Sequence, residues 1–430
     1  MKTMNISTWV LALGLATCSL GLTSCGDDDI ALEPVNESPY TLSDGAVAYL
    51  VDGANKRDFN VVEFRTEGTS DLFVSTTTPV STAVTLQLNY QADALTQFNQ
   101  THGTDYELFP ENLVTIPTTV ELAKGAKQSS AIAVSVKTDA ALETGKTYAI
   151  PVHLSANNAV VKATAEGDYM ILVRDLTALP DANKSTGIQI ISCMEANNTN
   201  PLNNMIYTLK GSGKQLIDQV ILFSSNINYN VETGRVYIFH NNNIQHMLDN
   251  REKYIKPLQD RGIKVLLSIL GNHDQAAIAN LSKETAKYVA QEIKANCDAY
   301  GLDGVFFDNE YSSYPNPIPP GFVTPSSEAA ARLIYESKKA MPDKLVEVYV
   351  LSYMNSLPSV DGEEPGQWMD YALQDYGRGR DLSDKFPGLP KSGMAQLSSE
   401  YAQGYFCSES GLQSIRNDGY GAHMIFAMDP

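Results

Sequence analysis

Leu302-Asp303-Gly304-Val305-Phe306-Phe307-Asp308-Asn309-Glu310-Tyr311 is the stretch on which the reading of this 430-residue chain turns. Gly304 to Phe307 is a short apolar run with acids on both sides, the pattern of a buried strand. Alternate residues of a strand share a face, so Gly304, Phe306, Asp308 and Glu310 point one way. Two carboxylates then stand together at the carboxyl end of one strand. Burying acids is costly unless they are hydrogen-bonded or used. Neighbouring carboxylates also repel, so one pKa should rise and one group should keep a proton near neutral pH. The same spacing fits two solvated loop acids, which are common in a chain with 50 acidic residues.

Outward from that strand, apolar runs alternate with longer helical patterns. The runs are Ile188–Ile191, Gln219–Phe223, Lys264–Leu270, Leu345–Leu351 and Ala422–Phe426, and the helical stretches are Asn241–Arg261, Ser282–Tyr300 and Ser326–Ala340. Ala286, Val289, Ile293 and Cys297 fall on one helical face. Such alternation across residues 187–430 predicts a parallel sheet closed as a (β/α)8 TIM barrel. Barrels of this kind keep their chemistry at the carboxyl ends of the strands, where Asp308 and Glu310 sit. The chain stops at Pro430, directly after its last apolar run, so the barrel is expected to lack its last helix, as a fragment or with a bare flank.

A polar linker, residues 175–186, precedes the barrel. Residues 44–174 read differently. Val61–Arg65, Val84–Tyr90, Ala131–Val136 and Tyr148–Leu154 alternate or are rich in branched residues, and turn clusters such as Glu143-Thr144-Gly145-Lys146 bound them. The fold class expected is therefore multidomain: an N-terminal all-β sandwich, interrupted by a helix near Ala92–His102, followed by the α/β barrel. No acid pair, His cluster or Gly-rich loop in the front domain suggests catalysis.

The strand carrying the acids resembles the Asp-Gly-x-Asp-x-Asp-x-Glu motif of family 18 glycoside hydrolases. Asp303, Gly304, Asp308 and Glu310 match, and Phe306 stands where the middle Asp would be. The wider region is similar to bacterial endo-β-N-acetylglucosaminidases of the Endo H and Endo F type. The similarity runs in order through Lys264–His273, Tyr300–Val305, Glu310-Tyr311, Met341–Lys344, Asp370–Ala372 and Gly419–Gly421. In front, Phe98–Pro110, Thr115–Pro117 and Gly145–Val152 resemble the β-sandwich domain of Bacteroidetes surface lipoproteins. That domain reads either as a spacer or as a binder of glycans or partners.

The resemblance implies substrate-assisted, retaining cleavage of the chitobiose core of N-glycans, with high-mannose glycans the favoured class. Glu310 would be the general acid and then the base. Asp308 would orient the 2-acetamido group that attacks its own anomeric carbon. Gln374 and Tyr376 would hold that group, Asn272 and His273 would touch sugar, Tyr311, Phe426 and Met428 would form the apolar floor of the subsite, and Phe306 is a further substrate-binding candidate. Asn226 and Asn228 are weaker candidates. No metal or organic cofactor is implied. Phe306 removes a negative neighbour, which should lower the pKa of the remaining pair. A chitinase-like β-GlcNAc hydrolase and a non-catalytic glycan-binding protein are the rival readings.

The amino terminus reads as an address. Lys2 precedes an apolar run from Trp9 to Leu22, too short to span a membrane, and Leu22-Thr23-Ser24-Cys25 resembles a lipobox. Residues 1–24 would be a signal peptide, Cys25 a lipidated N-terminus, and 25–43 an acidic tether at the outer membrane surface. Cys193, Cys297 and Cys407 form neither a disulfide framework nor a metal pattern. A net charge of −19 excludes a nucleic-acid binder, which needs clustered Lys and Arg, and fits neutral ligands.

Overall fold

The computed structural model describes residues 45–156, 160–163, 167–377, 379 and 381–428. Its larger sheet is a ring of eight parallel strands. They are Gln189–Glu195, Gln219–Asn230, Lys264–Leu270, Gly304–Asp308, Leu345–Val350, Tyr371–Gln374, a seventh made of Met394–Ala395 and Ser398–Glu400, and Ala422–Phe426. The seventh strand is shared: its first part pairs with the sixth and its second with the eighth, which in turn pairs with the first. A parallel bridge from Tyr376 to Ser398 completes the closure.

Strands buried on both sides need apolar residues on both faces. One set, including Ile191, Cys193, Ile221, Leu266, Phe306 and Leu373, fills the lumen. The other packs outward on the helices. Helix Lys283–Tyr300 begins where the Ser282 side chain accepts from the Thr285 amide and ends where Gly301 turns left-handed at φ 60°. It buries Ala286, Val289, Ile293 and Cys297, the face read from the sequence. Helix Ser327–Ala340 is capped by Ser326 in the same way.

The stretch Asn241–Arg261 is not one helix. It splits into Asn242–Asp249, Arg251–Tyr254 and Lys256–Gln259, because Asn250 leaves the helical region and Pro257 lacks an amide hydrogen. The remaining connections are thinner. The 3-10 turn Pro201–Met205 follows the first strand, and the four-residue helix Pro365–Trp368 follows the fifth.

In front lies a sandwich of a five-stranded and a six-stranded sheet, with helix Ala94–His102 beside the second. Leu72, Leu86, Ile150, Leu154 and Ile171 fill its own core. The sandwich docks on the amino-terminal end of the barrel. Asp343, just before the fifth strand, accepts from Tyr106 at 2.7 Å, Thr147 at 2.8 Å and Arg174 at 3.2 Å. Glu63 pairs with Arg174 and Lys264, and His102 Nδ1 lies 2.7 Å from the Lys339 carbonyl. The run Met341–Lys344 thus serves the domain junction. None of these contacts involves the carboxyl ends of the strands. The expected signal peptide, Cys25 and tether, and any closing helix after Met428, lie outside the described residues.

Candidate active site

The fourth strand alternates as its sequence demands. Gly304 is packed so closely on the fifth strand that a Cβ would collide with the Leu345 carbonyl. Phe306 is 1% exposed in the lumen, its ring 6.3 Å from that of Tyr349. It is sealed below the mouth among the apolar side chains of the lumen. Asp308 is 3% exposed above it, and Glu310 is half-buried at the rim. Asn309 faces the other way, accepting from the Ala279 amide at 3.1 Å and donating to Tyr314 at 2.9 Å. Asp303, at the strand's far end, accepts from Gln259 and the Val265 amide at 2.8 Å each and clamps the barrel floor.

The electrostatics set the two acids apart from ordinary carboxylates. Burial, then the charges of Glu310 and Asp375, push Asp308 well above the usual range. Its Oδ1 is shut off from solvent and has no hydrogen-bond donor among the described residues. Burial and Asp375 also raise Glu310. No lysine or arginine offsets either shift. The mouth therefore presents carboxyl groups that keep protons where a free Asp or Glu would have lost them, as proton transfer near neutral pH requires. The expected lowering through the loss of the middle Asp is outweighed by burial and by Asp375.

Around the pair, the loop after the third strand lies against the Glu310-Tyr311 backbone. Gly271 permits this, since a Cβ there would strike the Glu310 carbonyl. The His273 amide donates to the Tyr311 carbonyl at 2.5 Å, and their rings lie 5.4 Å apart. Both residues hold a left-handed backbone, φ 53° and 52°, a strain that proteins concentrate at functional sites. Tyr311 is 56% exposed. Asn272 donates to Asn228 at 3.2 Å, and Asn226 to the Gly271 carbonyl at 3.0 Å, so these amides brace the cleft wall.

On the far side, Tyr376 stacks on Phe426 with ring centroids 6.4 Å apart, and Phe223 meets Phe426 edge-on at 5.3 Å. Gln374 is buried. Its Oε1 accepts from the Asp375 amide at 3.0 Å, while its Nε2 is buried with no hydrogen-bond partner among the described residues. Met428 does not join them. Ala427 takes φ 52°, the two-residue alternation breaks, and Met428 turns into the outer apolar layer.

The sequence reading passed over Asp375, Tyr349, Glu195 and Glu400. The Tyr349 hydroxyl donates to Asp375. Glu195 ends the first strand two residues after lumen-facing Cys193, and burial and Glu400 raise its pKa. A two-residue count from Leu373 to Asp375, or from Cys193 to Glu195, was the available signal.

Three comparisons bear on identity. The endo-β-N-acetylglucosaminidase F1 of Elizabethkingia meningoseptica is 58% identical over 244 residues, which is 56% of this chain and 72% of the relative. The endo-β-N-acetylglucosaminidase of Flavobacterium sp. (strain SK1022) is 34% identical over 253 residues, 58% of this chain and 78% of the relative. Bacteroides thetaiotamicron EndoBT-3987, solved with a Man5GlcNAc product, superposes with a TM-score of 0.82 at 35% identity, covering 89% of this chain and 90% of that one. Its complex with a Man9GlcNAc2Asn substrate gives a TM-score of 0.75 at 34% identity, covering 89% of each chain. A family model described as "-like, N-terminal domain" matches residues 42–161. With an acid pair at the barrel mouth, and relatives this similar over most of their own length, the chain belongs to the endo-β-N-acetylglucosaminidases.

Proposed function

We propose that the enzyme hydrolyses the β1,4 bond between the two GlcNAc residues of the N-glycan core, with Glu310 as general acid and base and Asp308 as the group that orients the substrate's acetamide. Glu310 gives its proton to the leaving glycosidic oxygen. The acetamido carbonyl oxygen of the same sugar closes on its anomeric carbon, forming an oxazolinium-like intermediate with the positive charge beside Asp308. Glu310, now a carboxylate, takes a proton from water as the water opens that ring. One GlcNAc stays on the asparagine. Tyr376 stacked on Phe426 supplies a flat wall for the sugar, with Gln374 at the same strand end as the candidate for holding the acetamide. Asn272, His273 and Tyr311 contact sugar at the rim. High-mannose glycans are the favoured class, supported by the glycans bound in the Bacteroides thetaiotamicron relative.

One observation carries the reading: Asp308 closes the fourth strand and Glu310 follows two residues on at the barrel mouth, both with raised proton affinity and no cation among the described residues to quench it. The test is to incubate the enzyme with ribonuclease B and, separately, with chitin oligomers, and to weigh the products. Ribonuclease B falling to protein plus one GlcNAc supports the reading. Cleaved chitin with intact ribonuclease B overturns it in favour of a chitinase, and glycan retention without any product in favour of a binding protein.

The amino-terminal residues support a surface lipoprotein held at the outer membrane by lipid on Cys25, with the catalytic mouth at the barrel end that does not carry the sandwich. Replacing Cys25 with Ser should release the enzyme from the membrane fraction; unchanged membrane retention would refute the anchor.

A further inference from the structure

Phe306 stands where the family 18 motif has an Asp, and below Asp308 it packs among apolar side chains, with buried Glu347 opposite it on the fifth strand. A third acid nevertheless reaches the pair. Asp375 lies one residue past the sixth strand, is 7% exposed, and receives the hydroxyl of Tyr349, itself 7% exposed on the fifth strand. Its backbone amide is tied to the Gln374 side chain at 3.0 Å. Both ends of the residue are thus fixed, by groups from two neighbouring strands. Its charge acts on both Asp308 and Glu310.

The other titratable groups facing the pair are few. Cys193 and Glu195 come from the first strand, Glu347 from the lumen face of the fifth and Glu400 from the seventh. Tyr376, Tyr311 and the His273 ring lie at the rim. No lysine or arginine acts on either carboxyl. Glu400 is spent on its own loop, accepting from the Ala402 and Gln403 amides. Asp375 is the acid that both members of the pair feel.

We propose that Asp375, pinned by Tyr349, is a positioning residue of this reaction centre: it supplies from the sixth strand the negative charge that Phe306 displaces from the fourth, and keeps the transferable proton on Glu310. The proposal rests on Glu310 being the general acid. A fixed negative neighbour favours the protonated form of a carboxyl, so removing it lets the proton leave at lower pH. The two acids titrate as a coupled set, and the limb of the pH profile belongs to the set.

The test is the pH dependence of kcat/KM on a high-mannose glycoprotein for the wild type, Asp375→Asn and Tyr349→Phe, with Glu310→Gln alongside. Asp375→Asn keeps the shape and removes the charge. The alkaline limb should move down by about one pH unit, a loss of about tenfold above the limb with little change below it. Tyr349→Phe should move the limb the same way by less, because Asp375 then loses the hydroxyl that holds it in place. An equal loss at every pH, or an unmoved limb, would overturn the role of Asp375 while Glu310→Gln remains inactive. An active Glu310→Gln would instead overturn the reading on which the proposal rests. Thermal melting of Asp375→Asn within a few degrees of wild type separates the pH effect from misfolding.

Discussion

The two mouths of the barrel both carry acids, under opposite conditions. At the amino-terminal mouth, burial pushes Asp343 up, but Lys344, Arg174 and the hydroxyls of Tyr106 and Thr147 outweigh it and hold the carboxyl at about 2. Burial likewise raises Asp370 and Glu63, yet Lys338 and Lys56 overcome it at the first, and Lys264 and Arg174 at the second. At the carboxyl-terminal mouth, Asp308, Glu310 and Glu195 meet burial and one another with no cation to compensate, and all three rise. Acids matched with cations fasten the sandwich to the barrel. Acids left unmatched hold mobile protons. The same side-chain chemistry thus serves architecture at one end and, in the proposed mechanism, reaction at the other, with cation placement making the difference.

The largest effect that would break this contrast is at Glu310. Glu310→Gln should lower turnover by about 10²–10⁴ while leaving glycan binding and melting temperature near wild type. A large fall in stability instead would mean that this acid, too, is structural. At the other mouth the converse holds. Asp343→Asn should cost about 2–4 kcal/mol of stability by leaving buried Arg174 with Glu63 as its remaining carboxylate, and should spare kcat in the folded fraction, as read by denaturant titration beside kinetics.

The pH signs sharpen the same point. A depressed folded-state pKa contributes stability that is present above the unfolded value, near 3.9, and is lost as pH falls toward 2. Asp343 should therefore contribute about 2–3 kcal/mol at neutral pH, lost across that acid window, and Asp343→Asn should flatten the acid limb of the stability curve. Tyr376→Phe, which keeps the stack on Phe426 and removes the hydroxyl, should lower kcat/KM by about tenfold, as one hydrogen-bonding contact to substrate would.

The smallest effect concerns an acid that belongs to neither mouth. Glu347 lies wholly buried in the lumen, raised first by burial and then by Asp370, and faces the Gln219 amide. Neither of its oxygens makes a well-formed hydrogen bond. A raised folded-state pKa means stability that is full below the unfolded value and drains away as pH rises. Glu347→Gln should therefore raise the melting temperature by a few degrees at alkaline pH and do little in acid. A loss of stability in alkali would show that a charged Glu347 is matched after all.

How much of this was legible varied with the strength of the periodic signal. The fourth strand was readable because a strict two-residue alternation ran from Gly304 to Glu310, and the Phe306 ring and the Asp308 carboxyl obey it. The face of Lys283–Tyr300 was readable because eighteen residues give several helical turns and Ser282 marks the start. The sixth and seventh strands, four residues and then two and three, are too short to announce a period. Asp375 went unread with them. Met428 packs in the outer apolar layer because Ala427 takes a left-handed backbone, which the sequence does not mark. Asp343 was noticed only as part of a likeness, because its partners Tyr106, Thr147 and Arg174 lie 169 to 237 residues away, where no local pattern reaches.

The account's central claim is that unmatched acids at the open mouth let the substrate's own acetamide act as the nucleophile. The most direct measurement is the anomeric configuration of the freshly released oligosaccharide, followed by proton NMR before mutarotation. Two successive displacements at the anomeric carbon predict the β anomer first, decaying to the equilibrium mixture. The α anomer appearing first would require direct attack by water and would contradict the roles given to Asp308 and Glu310.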